Sequence, residues 1–78
     1  MHVDHKTMLT MLGLNIRTAR ETAKLSMGTL AKLSGVSKGN LSKIENGANP
    51  TMLSFYRICW SLGVHPKELL PPFRKQGR

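Results

Sequence analysis

Seventy-eight residues allow one domain with a modest core, since about 60–65% of the unfolded surface can be buried at this size. Twelve Lys and Arg against four Asp and Glu leave a net charge of +8, too basic for indifference to polyanions, and make nucleic acid the first partner to suspect. The single cysteine excludes an internal disulfide framework, so the fold must rest on apolar packing, as in a cytosolic protein.

No stretch alternates with a period of two, and the chain reads as all helix. Helix one is expected from about Thr7 to Ala23, with Leu9, Leu12, Ile16 and Ala19 turned to one side. Within it, MLTMLGL (Met8–Leu14) is the only run resembling a signal core. It is short and leads into a helix bearing Asn15 and Arg17, so no membrane association is expected and the location is expected to be cytoplasmic, with the DNA. Ser26 N-caps a second helix that ends near Ser34, and Ser37 caps a third that Gly47 closes in a left-handed conformation. Asn49-Pro50 forces an extended link, and Thr51 caps a fourth helix that stops at Gly63. His65, Pro66 and Glu68 open a short fifth helix, which Pro71-Pro72 ends. The expected division is an N-terminal extension (1–11), one domain (12–70) and a basic tail (71–78) carrying Arg74, Lys75 and Arg78.

The stretch SMGTLAKLSGVSKGNLSKIENG (Ser26–Gly47) is the most informative. Ala31 is small enough for the third helix to cross the second closely. Gly35 sits where the chain must reverse, and a positive φ is cheapest for glycine. Leu41 and Ile44, three apart, form the apolar side that packs back. Two short helices joined in this way make a helix-turn-helix, the arrangement that lays its second helix in a DNA major groove. On that helix Gly39 and Lys43 share the face opposite Leu41 and Ile44, flanked by Lys38 and Asn40. Asparagine can pair with the N6/N7 edge of adenine, and lysine can donate to O6 and N7 of guanine.

On these residues the chain resembles the Cro/C1-repressor type of helix-turn-helix domain, an all-α, five-helix, lambda-repressor-like DNA-binding unit. The likeness extends from LGLNIRTARETAKLS (Leu12–Ser26), similar to the family's first helix, through the NPT loop (Asn49–Thr51) to ICWSLGVHPKELL (Ile58–Leu70), similar to its last two. The resemblance implies a bacterial or phage-like regulator. It also implies that Ser37, Lys38, Gly39, Asn40 and Lys43 face bases or nearby phosphates, and that Asn46 touches the DNA backbone. The N-terminus of helix two, at Ser26 and Met27, offers N–H groups to a phosphate. Family members often carry glutamine where Met27 stands, a departure that removes one side-chain phosphate contact. Arg17, Lys24 and Lys32 are candidate electrostatic contributors. The family also commonly links the positions of Arg20 and Glu45 by an ion pair, which implies a structural role for these two.

Catalysis finds little support. Asp4, Glu21, Glu45 and Glu68 fall in different elements, Cys59 lies on the expected core side of helix four, and His2 and His5 sit at the terminus without metal-ligand spacing. No cofactor, metal or small-molecule ligand is indicated. In helix four, Met52, Phe55, Ile58, Cys59 and Leu62 form the expected core stripe, while Leu53, Tyr56 and Trp60 form a second apolar stripe on a neighbouring face. A domain this small has no spare layer to cover the second stripe, which points to a homodimer interface. Packing against the N-terminal extension or a folded-back Phe73 is the alternative cover. The resulting expectation is a dimeric, sequence-specific regulator of transcription, a repressor binding an inverted-repeat operator. The rival is an adaptor using the same fold for protein–protein contact, such as an antitoxin.

Overall fold

The computed structural model describes residues 4–71 of the chain. Among them are five helices and no strands: α1 (His5–Thr22), α2 (Met27–Ser34), α3 (Lys38–Glu45), α4 (Met52–Leu62) and α5 (Pro66–Leu69). The tail Phe73–Arg78 and His2 lie outside the described residues.

Each helix begins on a residue that accepts a first-turn amide. Ser26, Ser37 and Thr51 take the N–H groups of Thr29, Asn40 and Ser54, caps worth about 1 kcal/mol each. His65 opens α5 in a reciprocal capping box with Glu68. Helix α1 starts two residues before the expected Thr7, because the Asp4 carboxylate accepts the Thr7 N–H at 2.8 Å. Residues 5–11 are therefore its opening turns, and the expected boundary between 11 and 12 falls inside a continuous helix. Gly35 and Gly63 close α2 and α4 with φ near +70°, where a side chain would be strained. Helix α1 ends instead on Lys24, which holds φ at 59° without being glycine.

The core gathers Leu12 and Ile16 from α1, Leu30 from α2, Leu41 and Ile44 from α3, Phe55, Ile58 and Cys59 from α4, and Leu69 from α5, with Val36 from the turn. Helix α2 packs on α3 and α4, while α1 packs on α3 and α5. The Asn15 amide donates to the Leu69 carbonyl at 2.9 Å, tying α5 to α1. Met52 departs from the expected core stripe and is 66% exposed. It is the first residue of α4, and Phe55, nearly one turn later, is the first buried one.

Candidate nucleic-acid interface

The turn between α2 and α3 is set by Gly35, in the left-handed conformation, and by Val36, whose buried side chain anchors the reversal. The hydroxyl of Ser34 accepts the Val36 N–H at 3.2 Å, so this buried amide is satisfied. Leu41 and Ile44 are fully buried and seat one side of α3 on the domain. The opposite side presents Gly39 and Lys43, flanked by Lys38 and Asn40, all exposed. Ser37 is also exposed, its hydroxyl oxygen accepting the Asn40 N–H at 3.1 Å. Asn46 follows the helix, and its side-chain amide donates to the Ser42 carbonyl at 2.8 Å, closing the C-terminal turn.

Two contacts hold the end of α3 against α1. Arg20 places Nε 2.7 Å from Glu45 Oε2 and Nη2 3.1 Å from Oε1, while its Nη1 donates to the Leu25 carbonyl at 2.9 Å. One guanidinium thus joins α1, the α1–α2 link and α3. The hydrogen bonds to Glu45 raise the Arg20 pKa further above its ordinary value, so the cation persists. The second contact is made by Gly13 of α1, which lies against the backbone of α3. A methyl group added there would lie 2.5 Å from the Ile44 carbonyl oxygen and 2.6 Å from that of Glu45. Nothing in the residues around Gly13 announces this, because the demand comes from a backbone thirty-odd residues away.

The remaining candidates divide. At the start of α2, the Ser26 hydroxyl accepts the Thr29 N–H and donates to Thr29 Oγ1, and Ser26 stays exposed. Met27 is half-buried and packs against the core, so the side chain in the usual glutamine position serves the domain interior. Arg17 pairs with Glu21 at 3.5 Å on the exposed face of α1, whereas Lys24, Lys32, Lys38 and Lys43 form no ion pair among the described residues. Burial pushes the Cys59 thiol pKa up, which keeps it protonated and a poor nucleophile. On α4, Leu53, Tyr56 and Trp60 are exposed by 60%, 53% and 89%. No helix is long and apolar enough to cross a membrane, and no three His, Cys, Asp or Glu side chains gather among the described residues.

The fold and this polar, cation-bearing helix define a helix-turn-helix regulator. Residues 16–69 match the helix-turn-helix family model HTH_3, and the chain belongs to that Cro/C1-type (XRE) family. The family is one of DNA-binding regulators of transcription, not of enzymes. The chain is 33% identical over 66 residues to an uncharacterized HTH-type transcriptional regulator, y4dJ, of Sinorhizobium fredii, covering 83% of this chain and 86% of that one. Among solved structures it is similar to the restriction-modification controller protein C.AhdI of Aeromonas hydrophila (TM-score 0.77, 30% identity, 80% of this chain and 96% of that one). It also resembles an HTH_3 family transcriptional regulator of Vibrio cholerae, with a TM-score of 0.80 and 25% identity over 85% of this chain and 38% of that one.

Proposed function

We propose that the chain regulates transcription as a homodimer that lays one α3 from each protomer into successive major grooves of an inverted-repeat operator, acting as a repressor. The observation that carries this reading is the outward side of α3. Lys38, Asn40 and Lys43 stand clear of the domain around Gly39, while Leu41, Ile44 and the Arg20–Glu45 pair fix the helix from behind. Phosphate contacts are assigned to helix ends, through the backbone N–H at Met27 and the short polar side chains of Ser26, Ser37 and Asn46. The resident cations supply sequence-independent attraction, and Asn40 and Lys43 supply base choice.

Dimerisation rests on the α4 face. Leu53, Tyr56 and Trp60 form an apolar stripe left exposed by the described residues, and aromatic side chains are the usual interface anchors. The controller role named for C.AhdI fits a regulator whose occupancy follows protein concentration. The adaptor alternative draws on the α4 face alone and leaves the cations of α3 without a purpose. Selection of duplexes from a random pool by the purified chain, followed by salt titration, tests the reading. A recovered inverted repeat bound with steep salt dependence is expected; absence of any selected sequence refutes it.

A further inference from the structure

Glycine at position 39 has no internal explanation. Gly35, Gly47 and Gly63 hold positive φ, and Gly13 lies against backbone. Gly28, in the first turn of α2, and Gly39, in the first turn of α3, hold neither distinction, and a Cβ built at Gly39 meets nothing within 4 Å. Within the free protein this glycine only costs helix stability. Its direction is the informative part. Leu41, Ile44 and Glu45 are the buried residues of α3, and at 3.6 residues per turn the direction opposite their mean falls between Gly39 and Lys43. The residue near the centre of the outward face therefore carries no side chain, while its exposed neighbours Lys38, Asn40 and Lys43 are long or polar.

We infer that Gly39 is a specificity-determining notch in the row of side chains, where the C5 methyl group of a thymine in the major groove comes up to the helix backbone. The inference rests on the recognition-helix reading above. Among the groups that base pairs project into the major groove, the thymine methyl is the apolar one, beside the polar donors and acceptors. Asn40 and the lysines serve polar edges. The open space where a Cβ would stand at Gly39 lets a methyl come up to the helix backbone there, beside the exposed Lys43 one turn on. Burying one such group corresponds to about a three- to fivefold gain in binding.

The test uses the full chain, its selected duplex, and a set in which each thymine in turn is replaced by uracil, deleting only the methyl. Wild type should lose about three- to fivefold in affinity at one thymine per half-site and little at the others. Gly39→Ala should bind the parent duplex more weakly and become indifferent to that uracil, while melting a few degrees higher than wild type. Gly28→Ala makes the same change in the first turn of α2, where the added Cβ meets only Ser26 Oγ at 4.0 Å, and should leave the uracil response intact. The inference is overturned if wild type ignores every thymine methyl, or if Gly39→Ala keeps wild-type affinity and methyl response. A wild-type chain with no preferred duplex removes the recognition-helix reading and the notch together; a preferred duplex with dispensable methyls removes the notch alone.

Discussion

Arg20 on α1 grips Glu45 at the end of α3 with two hydrogen bonds, and both side chains are largely withdrawn from water, 12% and 3% exposed. The pair places charge in an apolar setting, where removing one member strands the other. Arg20→Ala or Glu45→Ala alone should cost about 3–5 kcal/mol, and the double variant less than the sum. Thermal melts of the four proteins in the cycle measure the coupling; additive losses would show that the contact contributes nothing as a pair.

Gly13 should tolerate no side chain. Gly13→Ala must move the Ile44 and Glu45 carbonyls, which are backbone and cannot rotate away. An overpacking cost of about 1–3 kcal/mol is expected, despite alanine's better helix propensity. Denaturant unfolding compares it with Gly28→Ala, which should be neutral or stabilising.

Base choice should reside on α3. Asn40→Ala and Lys43→Ala should each cost about 1–3 kcal/mol on the preferred duplex and relax selection at one position. Both side chains are exposed, so melting temperatures should barely change. Selectivity equal to wild type in both variants would place recognition elsewhere.

The dimer should depend on Trp60. Trp60→Glu puts a charge on a position that is 89% exposed in the single chain, so the fold survives. Sedimentation should show a monomer, and operator binding should weaken sharply. Two-fold pairing through α4 is expected to set the α3 helices about 34 Å apart, one duplex turn. A variant that remains dimeric moves the interface off this face.

The start of α1 should fray in acid. The Thr7 backbone N–H, and then its hydroxyl, hold the Asp4 pKa below its ordinary 3.8. A depressed folded-state pKa stabilises the helix above the ordinary value and loses that contribution as pH falls through the folded value. Protection of the Thr7 and Met8 amides, measured against their intrinsic exchange rates, should therefore fall below about pH 4, and Asp4→Ala should show the reduced protection at neutral pH. Protection unchanged across that range would dismiss the cap.

Much of this molecule follows from local chemistry. Ser26, Ser37 and Thr51 start helices, and Gly35 and Gly63 end them, because a cap or a left-handed turn is decided within four residues. The inward stripe Leu12–Ile16 and the pair Leu41–Ile44 follow from helical periodicity, and so does the outward set Lys38, Gly39, Asn40 and Lys43. What local chemistry leaves open is whichever property depends on a distant neighbour. Gly13 is required by carbonyls of α3, Asn15 by the end of α5, and Met27 turns inward although its position suits a ligand. Met52 shares the periodicity of the core yet stays outside, at the very start of α4, where burial begins only with Phe55. Periodicity says which residues share a face; only the packing of helices far apart in the chain decides how far that face is covered, and by what.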